Sequence, residues 1–464
     1  MYEFGNRERL LPGEKRDEEN MIYARTIFGE DIRENPVPVE TADRENEPFA
    51  VIGSPDTGEK IGLNRDMLSQ GLLALAAPGG GKTNVINLLL SPLLDNLGDD
   101  EIVINFDTKG DYLKEFGWRI PEQDRIIIGS GESYRDITSY HNIFAEIMPR
   151  GSDGRLVYTE DCTVDASEIA GQLFQQMQSE TQPVFPAMAE QVTAGIIVYF
   201  MRKYWEHDQS MLCNRELLKF FYSATTEELK AVFELMDDYR SCISYIEGKN
   251  SMTQSVQAYI GAALRKTFIG PFRESDPARE FSMQDVIKGK GKKVVFIEYD
   301  LMRGNSLQPM YGLLIDSAIK YALGGRGSRK NVYFVLDEWK LLPKLQHAAD
   351  ALSFGRDRGV KIIAGLQNIS SVEEAYGAAG AKSILAGFQN LFAFKITDYD
   401  TRQYVVGRLG ENYQNLSFKA QTKNVNVQRL GHTAEDWVLT GLGKGEAVVK
   451  LEGRSPFLFK LPKY

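Results

Sequence analysis

Ala76-Ala77-Pro78-Gly79-Gly80-Gly81-Lys82-Thr83 sets three consecutive glycines in front of a Lys-Thr pair. Glycines free the backbone so that successive N–H groups can converge on phosphate oxygens. A helix N-terminus adds a favourable partial positive charge at the same place. The apolar run Leu72–Ala77 precedes the loop and a helical pattern from about Gly81 to Asn96 follows it. That strand–loop–helix context is what a P-loop requires. One position departs from GxxxxGK[ST]: its first residue is Ala76. In such a loop Lys82 would reach the β- and γ-phosphates of ATP and Thr83 would hold Mg²⁺. Pro78, Gly79, Gly80, Gly81 and Asn84 would complete the nucleotide cradle.

A second candidate is the carboxylate pair Asp337-Glu338, which ends the apolar run Val332–Leu336. Ligands of open α/β sheets bind at the C-terminal ends of strands. There Asp337 would support the Mg²⁺ shell and Glu338 would orient and activate the attacking water. Gln367 ends the run Lys361–Leu366, where an amide could sense a γ-phosphate; an ordinary loop glutamine is the alternative. Arg356 and Arg358 close the helical pattern after Glu338. Cations there complement a helix dipole, or, supplied to a neighbouring subunit, stabilise charge in phosphoryl transfer. Asp107-Thr108-Lys109-Gly110-Asp111 follows a further apolar run; a direct role at the same sheet edge and a plain charged turn are both open.

The elements that must position these groups alternate. Leu72–Ala77, Glu101–Asp107, Arg125–Ile128, Lys293–Glu298, Val332–Asp337, Lys361–Leu366 and Leu391–Ile396 read as short buried strands. Helical segments at Leu307–Leu323, Lys344–Asp357 and Gly380–Phe388 separate the later ones. This βαβα order predicts an α/β fold with a mainly parallel sheet and helices on both faces. Phe49–Leu63 reads as a small hairpin turning at Pro55-Asp56-Thr57-Gly58, and Glu446–Lys460 as a closing one. Between about Asp161 and Asp285 the strand signals fade into helical patterning. The predicted organisation is a polar arm at 1–48, a nucleotide-binding domain in two parts at 49–160 and 285–464, and an all-helical insertion domain at 161–284.

Composition narrows the function classes. The 464 residues, 43% hydrophobic and 25% charged, can bury a sizeable core without staples. Three cysteines without a CxxC pair, far in sequence from the four histidines, predict neither a zinc site nor a disulfide framework and suit a reducing cytosol. No apolar run approaches 18 residues, so the chain reads as soluble. The formal charge of −10 argues against a wholly basic surface that grips nucleic acid, while leaving room for a basic channel inside an oligomer.

With those residues placed, the chain resembles the conjugative coupling proteins of type IV secretion, hexameric DNA-pumping ATPases of the wider FtsK/HerA class. The resemblance runs from about Phe49 to the C-terminus. It is carried by the P-loop, by Phe106–Asp111 (FDTKGD), by Asn142-Ile143-Phe144 at a family turn, and most specifically by Leu336–Gly377 with its DE, GR, AGLQ and YG. Thr397–Gly410 is similar to a family helix ending in LG. The resemblance implies a RecA-like P-loop ATPase core, use of ATP and Mg²⁺, catalytic roles for Lys82, Glu338, Gln367 and a trans-acting Arg356, and Mg²⁺ held through Thr83 and Asp337. It implies DNA as partner, a homo-oligomeric, hexameric ring, and relaxase or secretion-channel proteins as further partners. The family's usual transmembrane N-terminus has no counterpart here, so the expected location is cytoplasmic, or peripheral at the inner face of the membrane through a partner. Two other readings follow from the same residues: a HerA-like ATPase for DNA-end processing or phage defence, and a nucleotide-gated docking adaptor. Arg265, Lys266 and Arg273, near the end of the helical insertion, are candidates for a DNA entrance or for plain solvated helix ends.

Overall fold

Strands buried at every position have cover on both faces, which is the habit of parallel sheets. Leu72–Leu75, Glu101–Asp107 and Val360–Leu366 are buried throughout. The computed structural model describes residues 9–10, 22–32, 47–177, 183–248, 251–324, 331–420 and 423–464. They fall into two compact units. The first comprises Met1–Gly98, Tyr333–Lys340 and Ala349–Tyr464, the second Asp99–Val332 and Leu341–Ala348.

In the first unit the P-loop strand, Leu72–Leu75, is central. It pairs in parallel with Val360–Leu366 on one side and Asn390–Ala393 on the other. Val360–Leu366, the glutamine strand, lies between the P-loop strand and the acid strand Asn331–Leu336. Beyond Asn390–Ala393 the sheet closes with the antiparallel pair Glu446–Lys450 and Phe457–Lys460, the hairpin expected at the C-terminal end. The expected hairpin near the start is Ala50–Gly53 against Lys60–Leu63.

A separate antiparallel sheet, absent from the sequence reading, joins Arg9–Leu10, Ile22–Gly29, Glu411–Ala420 and Lys423–His432. Its strands carry too few apolar residues to signal burial, and the pairing of Ile22–Gly29 with Glu411–Ala420 joins positions some 385 residues apart (Tyr413 opposite Phe28). Of the polar arm read at 1–48, residues 1–8, 11–21 and 33–46 lie outside the described residues.

The second unit holds the parallel strands Glu101–Asp107, Lys293–Glu298 and Arg125–Ile128, in the order 101–107, 293–298, 125–128. Between Asp161 and Lys288 its described residues form helices and 3₁₀ turns, with one two-residue strand, Glu280–Phe281, paired with Tyr140–His141. The helix Val184–Tyr204 is long and apolar enough to cross a membrane by length and composition. Most of that stretch is buried, and it packs on Asp161–Phe174 and Ser251–Thr267.

Two helices differ from expectation. The one read at Lys344–Asp357 begins only at Ala348, ends at Phe354 and continues as a 3₁₀ turn, Gly355–Arg358. The one read at Gly380–Phe388 starts at Ser370 and is broken at Gly377, whose φ of 71° a residue with a Cβ resists.

Asn390 fixes the entry to the strand beside the P-loop strand. Its fully buried amide donates to the carbonyls of Met67 (2.6 Å) and Gly71 (3.1 Å) and accepts from the Glu452 N–H (3.1 Å). Asn390→Ala is therefore expected to lower unfolding free energy by about 1–3 kcal/mol. A urea titration checks it; a change no larger than that of an exposed control, Asn96→Ala, contradicts it.

Candidate nucleotide site

The loop between the P-loop strand and its helix, Lys82–Asp95, is shaped by its glycines. Gly79 and Gly81 sit at φ of 73° and 127°. A Cβ on Gly81 would stand 2.8 Å from the Phe394 ring, and one on Gly80 would stand 2.9 Å from Ala76 Cβ and the Ala77 carbonyl. Ala76, the departure from the sequence pattern, thus lies under Gly80. The loop is tied back to the sheet by the Ala76 N–H on Leu366 O and the Ala77 N–H on Lys395 O.

Lys82 and Thr83 open the helix and face the end of the acid strand. The Thr83 hydroxyl donates to Asp337 Oδ2 at 2.9 Å. Lys82 Nζ lies 3.6 Å from Glu338 Oε2, and the Gln367 amide donates to that same oxygen at 2.9 Å. Glu338 Oε1 faces the Lys340 ammonium at 3.9 Å. Lys82 is nine-tenths buried; burial pushes its pKa below the ordinary lysine value, against the opposing pull of Glu338 and Asp337. A desolvated ammonium of this kind seeks an anion.

Five residues singled out from the sequence, Lys82, Thr83, Asp337, Glu338 and Gln367, are therefore brought into one network. Strand order explains it. The glutamine strand runs parallel between the other two, so its C-terminal residue lies between the ends of both. Gly365 permits the close approach: a Cβ there would stand 2.2 Å from the Asp337 carbonyl oxygen. A lone glycine inside a strand signals such an approach, and this one, like Phe394 and Lys340, was not singled out from the sequence.

Asn84 turns elsewhere. Its side chain donates to Pro462 O (2.8 Å) and accepts from the Tyr464 N–H (2.9 Å), holding residues 462–464 against the first turn of the helix.

Arg356 lies before the glutamine strand and Gln367 after it. Seven residues at about 3.3 Å each put Arg356 roughly 20 Å from the phosphate loop, at the other end of the sheet. It forms an exposed ion pair with Asp66 at 3.2 Å. Asp107, in the second unit, accepts from the N–H groups of Lys109, Gly110, Tyr112 and Leu113. It thereby caps the helix Asp111–Phe116, with Gly110 left-handed at φ 72°. Burial still raises its pKa. Of the two readings of that turn, these four bonds support the structural one.

The sequence model of the family described as the type IV secretion-system coupling protein DNA-binding domain matches residues 59–434. The chain belongs to this family. Two curated coupling proteins named VirD4 are similar to it. The protein from Bartonella quintana is 24% identical over 38% of this chain and 29% of its own length, and that from Bartonella henselae 19% identical over 60% and 46%. The chain thus spans less than half the length of the relatives it matches. Among solved structures, the bacterial conjugative coupling protein TrwBdeltaN70 superposes with a TM-score of 0.71 at 19% identity, covering 94% of each chain. TrwB in complex with ADP and Mg²⁺ gives 0.70 at 19%, covering 94% and 95%. VirB4 of Thermoanaerobacter pseudethanolicus gives 0.52 at 14%, covering 92% and 99%. These likenesses establish the fold: an α/β core with a mainly parallel sheet, shared with the coupling protein TrwB.

Gly81→Ala is expected to cost about 1–3 kcal/mol of unfolding free energy, from the φ of 127° and the clash with Phe394 together. Adding Phe394→Leu should return the steric part and leave the backbone part. Urea titrations of the two single variants and the double variant separate them; strictly additive losses would show that Phe394 does not limit the loop.

Proposed function

We propose that this chain is an ATP-driven DNA translocase that works as a homo-oligomeric ring, hexameric by family analogy. The observation that carries the reading is the network of Lys82, Thr83, Asp337, Glu338 and Gln367 at the ends of three parallel strands. Its donors and acceptors fit ATP and Mg²⁺. The buried Lys82 would exchange Glu338 for the β- and γ-phosphates, with the loop N–H groups from Gly79 to Thr83 cradling them. The Thr83 hydroxyl and Asp337 are an oxygen pair suited to a hard cation. Mg²⁺ supplies neutralisation of developing phosphate charge.

Glu338, once released by Lys82, would orient and activate the attacking water, and Gln367, already bonded to Glu338, would report the γ-phosphate. Arg356 would serve a neighbouring subunit, since its own site lies at the far end of the strand. The helical stretch 161–284 is the proposed insertion domain, with DNA gripped through phosphates in the ring. DNA binding would then weaken steeply with salt. Relaxase or secretion-channel proteins would be the partners at the cytoplasmic face of the membrane.

The test is ATPase activity with and without single- and double-stranded DNA. Stimulation by DNA in the wild type and its abolition in Lys82→Ala are expected; an ATPase indifferent to DNA at every protein concentration would sink the translocase reading. Arg356→Ala should lower turnover by about 10³-fold or more if the arginine completes a neighbour's site. Mixing inactive Arg356→Ala with inactive Glu338→Ala should then restore part of the activity, because in one of the two orders of neighbours a mixed interface pairs an intact Glu338 with an intact Arg356. No recovery in rings shown to be mixed, by co-purification through a tag on one variant, counts against the trans role.

A further inference from the structure

The ten residues after the carboxylate pair take an unusual course. Trp339 and Lys340 belong to the first unit, residues 341–348 to the second, and the chain returns to the first at Ala349. Within the second unit this excursion is stitched down along its length. Leu342 and Leu345 are buried. Pro343 packs where Gly312, on the helix Gly304–Gly324, has no side chain; a Cβ there would stand 2.3 Å from Pro343 Cγ. The Lys344 carbonyl accepts from the Gln175 amide at 3.0 Å.

At the end of the excursion Asp316, on the same helix as Gly312 and almost wholly buried, takes the His347 backbone N–H on Oδ1 at 2.8 Å and the His347 ring Nδ1 on Oδ2 at 3.0 Å. Gln172, on the helix Asp161–Phe174, donates to the same Oδ2 at 2.9 Å and leaves its own Oε1 buried without a hydrogen bond. The strap is thus held at three points: Gly312 at Pro343, Gln175 at Lys344, and Asp316, itself braced by Gln172, at His347.

We propose that residues 341–348 are a coupling strap, through which displacement of Glu338 and Lys340 during nucleotide turnover is passed to the helices of the second unit, with Asp316 and His347 as its clamp. The proposal rests on the ATPase reading above and concerns how that site is regulated. A strap pinned only at exposed, single contacts would slip when its upstream end moved. A bidentate carboxylate clamp with a close-packed glycine–proline contact transmits instead, because packed contacts of this kind exchange between discrete arrangements rather than stretching. Asp316 and His347 are positioning residues, since neither belongs to the phosphate site.

The clamp also carries a charge signature. The bond to Asp316 raises the His347 pKa above the ordinary histidine value, against the effect of burial. The charged groups around it are Asp316 and Lys320 on one helix and Asp165 and Glu168 on the other, Lys320 being paired to both acids. A histidine raised in this way contributes most at pH below its unfolded value, and the contribution fades as pH rises through the folded value.

The experiment uses the full chain, with His347→Gln as the milder variant and Asp316→Asn as the stronger. Expected are unchanged affinity for a fluorescent ATP analogue, retained DNA-independent ATPase, and a fall of at least about five-fold in the coupling between DNA and hydrolysis. The double variant should be no worse than Asp316→Asn alone. DNA stimulation in the wild type should decline as pH rises through the histidine titration, and His347→Gln should flatten that profile. Hydrogen exchange gives a readout free of DNA: the non-hydrolysable analogue should change exchange within 341–348 in the wild type and not in the variants. Wild-type stimulation together with wild-type exchange changes in His347→Gln would overturn the proposal. If the wild type shows no DNA stimulation, the translocase reading fails and exchange alone judges the strap, its absence of response overturning it.

Discussion

Glu338 Oε2 receives the Lys82 ammonium and the Gln367 amide together, and that sharing constrains everything around it. The half-buried carboxylate and the buried ammonium need each other, because a buried charge left unpaired costs several kcal/mol. Donors and acceptors come from three strand ends, 254 residues apart in the case of Thr83 and Asp337. They meet because the glutamine strand is threaded between the other two and all three run the same way. Reversing or reordering any one would leave Lys82 or Glu338 buried alone. The parallel sheet is thus the condition under which these charges can coexist.

The same strand geometry divides the chemistry between two places. Gln367 and Arg356 flank one strand, so whatever brings Gln367 to the phosphates carries Arg356 away from them. Among the described residues Arg356 pairs with the exposed carboxylate of Asp66, a contact of a kind worth little in water. An arginine so weakly held is cheap to recruit by a stronger anion. In the proposed ring, phosphate bound by an adjacent subunit would be an anion of that kind.

Much of this was legible from residues alone. Gly79–Thr83 lies between a strand and a helix, Asp337-Glu338 ends a wholly apolar run, and Gln367 ends another. Those signals are local, and the strands that carry them are buried on both faces, so their patterns are unbroken. What was illegible is non-local. The sheet containing Glu411–Ala420 and Lys423–His432 alternates polar side chains that no burial rule distinguishes from a loop, and its partner strand Ile22–Gly29 comes from the far end of the chain. The helix expected from Lys344 starts at Ala348 because the preceding backbone is bonded to Asp316 and Gln175. Asp107 looked as suited to chemistry as to a turn; only the four N–H groups converging on it decide between them.

Buried carboxylates recur as the device that fixes irregular backbone. Asp107 gathers the turn at 109–113. Glu146, fully buried, takes the N–H groups of Met283 and Gln284 and the ring of His141. Asp316 takes His347. Each satisfies orphan donors that apolar packing could not, and each does so for one arrangement of the chain alone. Replacing such a group with an apolar one of equal size strands those N–H donors, at about 1–3 kcal/mol each. It would also remove the preference for that one register. In a protein whose proposed work is to pass small displacements from a nucleotide to a helical unit, that preference matters more than the net energy, since a segment with several equivalent resting places transmits nothing.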